Sequence, residues 1–378
     1  MQLQRYLMPH INEDLRNKMV FIGGPRQVGK TTISLQYLPT KSIDDPGYLN
    51  WDYAPVRQSL LQGQLPATPI VVLDEIHKYQ EWKNLVKGFF DTRKNKQTFL
   101  VTGSAKLDYF NKSGDSMHGR YHYYRLHPFS LPELIAKPSI KDVEQLFTFG
   151  GFPEPLFKQN MRMLRRWHNE RIHRVIYNDL RDLSSINNLN ALSLLVAELP
   201  NRIGSPLSIN NLATTLRVTH PTMGNWLNML DSMYVSFRIA PFGAPNIRAV
   251  LKEQKLYLWD WSTIEKPSAR FENMVASQLL KYCHYMQDWE GYNMELRYLR
   301  DTDSREIDFV VLKDNQPIFA VECKLNDADL SPAIKYFKDR TQIPIFYQVH
   351  MGNHDYVHAD TGSRVLPFNK FCVETQMV

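Results

Sequence analysis

The run Gly24-Pro25-Arg26-Gln27-Val28-Gly29-Lys30-Thr31 fits the pattern G-x-x-x-x-G-K-[ST] in full, and no other feature limits the fold of the chain as tightly. A loop of this kind leaves a strand and opens a helix, so that successive backbone N–H groups and the helix N-terminus wrap phosphates. The flanks agree. Met19-Val20-Phe21-Ile22 is an apolar run, and Thr32 to Leu38 carries apolar residues at helical spacing. Gly24 to Thr32 are therefore expected to hold ATP, with the charge of Lys30 on the outer phosphates and the Thr31 hydroxyl on Mg²⁺.

A second apolar run, Pro69 to Leu73, leads straight into Asp74-Glu75. At the C-terminal end of a strand, Asp74 can orient Mg²⁺ through its water shell while Glu75 polarises the attacking water. A third run, Thr98 to Val101, ends in Thr102-Gly103-Ser104. In an open α/β sheet that edge faces the ligand, so Thr102 or Ser104 is a candidate sensor of the γ-phosphate; simple turn chemistry is the alternative.

These motifs, GPRQVGKTT, VVLDEIHKYQEW and FLVTGSAKL, are followed by Gly119-Arg120, His127-Pro128-Phe129-Ser130 and Gly150-Gly151-Phe152-Pro153-Glu154. Together they resemble the bacterial and archaeal AAA-type P-loop ATPases that carry a nuclease-like C-terminal domain of unassigned function. The resemblance spans nearly the whole chain. It implies P-loop, Walker B and sensor roles for Lys30, Thr31, Asp74, Glu75 and Ser104. Arg120 matches the Gly-Arg pair of the family, where it is either an arginine finger or a surface arginine. A finger acting in trans implies a homo-oligomer with head-to-tail contacts.

Length and composition bound the rest. A chain of 378 residues exceeds one ordinary core. The expected division is an ATPase module over 1–150, a helical and winged-helix connector over 151–260 and a nuclease-like domain over 261–378. Hydrophobic content of 43% with 22% charged residues is globular, and no apolar stretch approaches the ~18 residues of a membrane span. Met1 to Arg5 lacks the apolar core of a secretory signal, which points to the cytoplasm. Three scattered cysteines argue against a disulfide framework or a zinc site. A net charge of +6 with a pI near 9.0 leans toward a nucleic-acid partner, DNA before RNA.

From Asn160 the chain reads as a helix with Leu164, Trp167, Ile172, Val175 and Ile176 on one side. Arg162, Arg165, Arg166, Arg171 and Arg174 interleave with them, as a phosphate-contacting or merely solvated face. Ser208 to Leu216 and His220 to Leu230 have helix-turn-helix spacing, with Tyr234–Ile239 and Lys255–Leu258 as candidate wing strands. The second helix presents His220, Thr222, Asn225 and Asn228 but no lysine or arginine, so base reading through it competes with a purely structural role.

At the C-terminus, Arg305–Leu312 and Pro317–Lys324 read as two strands joined by Lys313-Asp314-Asn315-Gln316. Alternation puts Glu322 and Lys324 on one face and allows Asp308 to lie opposite them. The helix Phe271 to Leu280 offers Glu272. Asp308, Glu322 and Lys324 resemble the D…(D/E)-x-K arrangement of a large nuclease superfamily. With a helix at Pro332–Arg340 and a strand at Ile343–Tyr347, the order resembles its restriction-endonuclease-like αβββαβ core. That resemblance implies Mg²⁺ on Glu272, Asp308 and Glu322, with Lys324 stabilising charge on a phosphodiester. Exposed cross-strand charge pairs are the alternative. Two functions stay open: an ATP-hydrolysing machine acting on DNA with a Mg²⁺-dependent nuclease-like site, or a nucleotide switch or scaffold whose C-terminal domain is silent and binds DNA or a protein.

Overall fold

A computed structural model describes residues 4–103, 117, 119–174, 188–243 and 253–378. Ser104, Val175 and Ile176, singled out above, lie outside the described residues. The chain divides into two compact units, one of residues up to His127 with Ser232–Tyr234, the other of Pro128–Asp231 with Val235–Val378.

The first unit is a mixed α/β layer structure around a parallel sheet. Its strands are β1 (Met19–Gly23), β2 (Tyr48–Asn50), β3 (Ile70–Asp74), β4 (Thr98–Thr102) and β5 (Tyr121–Arg125), ordered β2-β3-β4-β1-β5 with every neighbouring pair parallel. Parallel strands covered on both faces read as unbroken apolar runs, which is why β1, β3 and β4 stood out in the sequence. Phe21, Val71, Leu73, Phe99 and Val101 pack with Trp82, Val86 and Phe89 of the helix Trp82–Arg93 in one core cluster. The registers Asp74↔Thr102 and Ile22↔Thr102 bring the C-terminal ends of β3, β4 and β1 level. Because the chain leaves β1 toward β2 on one side and returns to β5 on the other, β1 is the switch point where such sheets open a crevice.

The second unit holds a mixed sheet of β6 (Ser236–Pro241), β7 (Lys255–Leu258), β8 (Met294–Arg300), β9 (Glu306–Lys313), β10 (Gln316–Cys323), β11 (Phe346–His350), β12 (Tyr356–Val357) and β13 (Arg364–Pro367), ordered β12-β13-β11-β10-β9-β8-β6-β7. β8, β9 and β10 are antiparallel, and β11 joins β10 in parallel. The helix Pro267–Asp288 packs across β7, β8, β9 and β10. Ile334 and Phe337 of the helix Pro332–Lys338 close a core with Val310, Leu312, Ala320 and Phe346. The strand expected at Ile343–Tyr347 starts later, at Phe346, after Pro344.

Two helices, Ile209–Thr215 and His220–Ser232, stand where helix-turn-helix spacing placed them. The strands read as a wing do pair, Ile239 opposite Lys255, but β6 then continues at Ala240 and Pro241 in parallel beside Arg297 and Tyr298 of β8. They are thus an extension of the C-terminal sheet. No described helix is long and apolar enough to cross a membrane.

Candidate functional site

At the end of β1 the backbone bends at Gly24, whose φ of +150° and 2.4 Å approach of a notional Cβ to the Leu126 carbonyl admit only glycine. Gly29, at φ +101°, caps the helix that begins at Lys30. Lys30 is buried, and its Nζ donates to the carbonyls of Gly24 (2.9 Å) and Pro25 (2.7 Å), so the ammonium is folded back over the loop. The buried Arg5 guanidinium braces the same loop from behind by donating to the Val28 carbonyl at 3.0 Å.

Asp74 is the centre of the site. Its carboxylate accepts from Thr31 Oγ1 (2.9 Å), Tyr48 Oη (2.6 Å) and Thr102 Oγ1, and only 3% of the residue is exposed. Three hydroxyls from three elements thereby fix one carboxylate beside the loop of residues 24–31. Burial, then the hydrogen bond to Asp74, raises the Tyr48 phenol well above its usual range, so it stays a donor. Thr31 and Asp74 are hard oxygen donors already in contact, a set that fits Mg²⁺.

Glu75 takes a left-handed backbone conformation (φ +57°) and donates its N–H to the Thr102 carbonyl at 3.1 Å. Its Oε2 lies 3.5 Å from Lys78 Nζ and 3.9 Å from His77 Nε2, and Lys78 also pairs with Asp52 at 2.5 Å. Burial pulls the His77 pKa down to about 4 despite the opposing pull of Glu75, so the ring is neutral near pH 7. Arg120 pairs with Asp91 of its own chain, Nε to Oδ1 at 2.8 Å and Nη2 to Oδ2 at 3.2 Å, with both side chains about a third exposed. Tyr48 and Arg5 were missed in the sequence, where neither belongs to a motif.

The C-terminal carboxylates come together differently from the expected metal centre. Antiparallel pairing of Val321 with Phe309 sets Asp308 beside Glu322, and Asp308 Oδ2 accepts from the Cys323 N–H at 2.8 Å. Glu322 Oε1 meets Lys324 Nζ at 2.7 Å and accepts from Ser331 Oγ at 3.3 Å. Glu272 accepts from Tyr257 Oη at 2.8 Å. Between these groups stands Lys255, wholly buried. Its Nζ is in contact with Glu306, 3.6 Å from Glu272 Oε1 and 3.9 Å from Asp308 Oδ1. Burial and then the neighbouring charge of Glu322 push the Asp308 carboxyl well above the usual range, and burial raises Glu322 as well. For Lys255 burial pulls down, but the surrounding carboxylates outweigh it and hold the ammonium charged. Among the described residues no group of three or more His, Cys, Asp or Glu is placed to hold a metal ion. Glu272, Asp308 and Glu322 therefore do not fit a divalent metal as they stand; a lysine ammonium lies among the acids instead.

Three segments match family models. Residues 16–135 match an AAA domain, 140–266 a domain of unknown function (DUF8612) and 268–371 another (DUF4143). Residues 16–135 carry an AAA-type domain. This AAA-type domain supports an ATPase with a nucleotide-dependent activity, while the two other segments add no function. An uncharacterized protein of Methanocaldococcus jannaschii is 22% identical over 370 residues, which cover 87% of this chain and 81% of the relative. A second uncharacterized protein of that organism is 23% identical over 295 residues, 65% of this chain and 61% of the relative. Among solved structures, the Thermotoga maritima RuvB Holliday junction branch migration motor is 18% identical and covers 58% of this chain and 82% of its own, with a TM-score of 0.30. The Bacillus subtilis DNA clamp loader delta protein is 8% identical and covers 59% and 87%, with a TM-score of 0.27. Scores this low carry no argument about the fold.

Proposed function

We propose that the chain binds and hydrolyses ATP in the AAA-type domain and couples that cycle to DNA. The observation that carries the ATPase reading is the convergence of Thr31, Tyr48 and Thr102 on Asp74 beside Lys30. Gly24 to Thr32 wrap the phosphates, Lys30 leaves its carbonyl partners for the outer phosphates, and Glu75 orients the attacking water. Thr31 and Asp74 would hold Mg²⁺, which when bound neutralises charge on the β- and γ-phosphates. Arg120 is the candidate finger for a neighbouring subunit. Lys30→Ala is expected to abolish ATP binding, whereas Glu75→Gln is expected to bind ATP and hardly turn it over. Turnover near wild type in Glu75→Gln overturns the assignment.

The DNA reading rests on the basic charge and on Arg162, Arg165, Arg166 and Arg174, all exposed on the helix Met161–Arg174. Phosphate contacts dominate such binding, so affinity should fall steeply with salt and discriminate little between duplexes. Strong discrimination at fixed salt would instead make the helix His220–Ser232 a reader of base edges.

A three-part organisation, with a restriction-endonuclease-like C-terminal part, is supported by the element order helix, three antiparallel strands, helix, parallel strand. Cleavage at Asp308, Glu322 and Lys324 needs a metal that the acids are not set to take. Lys255 therefore favours the second reading, a nucleotide-driven switch or scaffold whose C-terminal domain is silent and binds DNA or a protein.

A further inference from the structure

Lys255 enters the carboxylate cluster from outside the segment that supplies the acids. It opens β7, whose partner β6 joins β8, while Glu272 lies on the helix Pro267–Asp288 and Glu306 and Asp308 lie on β9. The lysine stem has no exposed surface and its Nζ faces the Tyr298 ring at 5.4 Å, so the ammonium is part of the packed interior. A fully buried ammonium persists only where opposite charge surrounds it, and here three carboxylates do.

Each acid also has a further donor. Glu306 meets Arg300 Nη1 at 3.0 Å, Glu322 meets Lys324, Glu272 takes the Tyr257 hydroxyl and Asp308 takes the Cys323 N–H. Four carboxylates, Glu272, Glu306, Asp308 and Glu322, thus stand against three cations, Lys255, Arg300 and Lys324, leaving a net charge of −1 at most. A divalent ion added to that set would face the Lys255 ammonium at close range.

We propose that Lys255 is the resident cation of this cluster, taking the place of a divalent metal and closing the site to one. This rests on the reading of the C-terminal domain as silent, and it adds the residue that makes it so. The consequence is that removing one charge opens a metal site: Lys255→Met leaves Glu272, Glu306 and Asp308 facing one another with oxygen ligands suited to Mg²⁺ or Mn²⁺.

The experiment titrates Mn²⁺ into nucleotide-free full-length protein by calorimetry and follows the melting temperature in the same samples. Lys255→Met should gain one Mn²⁺ site per chain, at least about tenfold tighter than any in the wild type, because affinity at oxygen sites follows the net charge of the ligands. Its melting temperature should rise with Mn²⁺ while that of the wild type does not, since an ion that binds only the folded state stabilises it. Lys255→Arg, which keeps the charge, should gain nothing, and adding Asp308→Ala to Lys255→Met should abolish the gain. Should Lys255→Met not fold, the wild type still decides: Asp308→Ala must leave its Mn²⁺ binding unchanged. A wild-type site lost in Asp308→Ala, or a folded Lys255→Met with no new site, overturns the proposal. Cleavage of labelled DNA by the wild type with Mg²⁺ is scored separately, and it would overturn the silent reading whatever the titration of the Lys255 variants gives.

Discussion

At the scale of single residues, spacing made the candidate nucleotide site legible and distance in the chain hid its supports. Lys30, Thr31 and Asp74-Glu75 announce themselves because the chemistry demands fixed residue types at fixed offsets from strand ends. Tyr48 reaches Asp74 across 26 positions and Lys255 reaches Glu306 across 51, and no local pattern encodes either contact. His77 was hidden for a different reason, its burial. It lies between Ile76 and Lys78 in the short turn that follows Glu75, and nothing in the string marks it as buried; its pKa of about 4 against an ordinary 6.5 has a consequence for stability. As pH falls below 6.5 the unfolded chain takes a proton on this ring while the folded chain resists until near 4, so stability is full above 6.5 and is lost through that window. Denaturant midpoints at neutral and mildly acidic pH should show the wild type losing about 2 kcal/mol more than His77→Gln between pH 7 and pH 5. Parallel pH profiles for the two proteins would refute a buried neutral ring.

At the scale of elements, the helix Met161–Arg174 shows how a correct period can be misread. Leu164, Trp167 and Arg171 follow one another at offsets of three and four and are all buried, so Arg171 belongs to the apolar stripe and not to the basic face assigned to it. Its guanidinium lies 4.3 Å over the Phe152 ring, 5.5 Å from the Trp167 ring and 3.8 Å from Asp260 Oδ2. The same carboxylate group accepts from Ser262, which also bonds His168 at 2.9 Å. Removing the arginine would take a cation from beside a buried acid and leave a void against the Phe152 and Trp167 rings. Arg171→Ala is therefore expected to lose about 3 kcal/mol in urea unfolding, against at most about 0.5 kcal/mol for exposed Arg165→Ala. Equal stabilities for the two variants, with DNA affinity reduced only in Arg171→Ala, would return Arg171 to the phosphate-contacting face.

At the scale of the whole molecule, strand existence was readable and strand partnership was not. Apolar runs located β1, β3, β4, β9 and β10, because burial on both faces leaves a continuous signature. The join of β6 to β8, which carries β7 and Lys255 into the C-terminal sheet, crosses the boundary expected at residue 260 and rests on pairing between distant segments. Assembly is the remaining question at this scale, and Arg120 tests it. Its pairing with Asp91 is between partly exposed groups, which water screens, and a finger role would require the guanidinium to exchange that partner for a phosphate on a neighbouring subunit. Arg120→Ala is expected to lower ATP turnover and leave nucleotide affinity largely intact, because a finger acts on charge that develops during transfer. Mixing Arg120→Ala with Lys30→Ala should then restore part of the activity, since one subunit supplies the intact loop and the other the intact arginine. Full turnover from a strictly monomeric protein across a dilution series would show that no neighbour completes the site, and would leave Arg120 as a surface partner of Asp91.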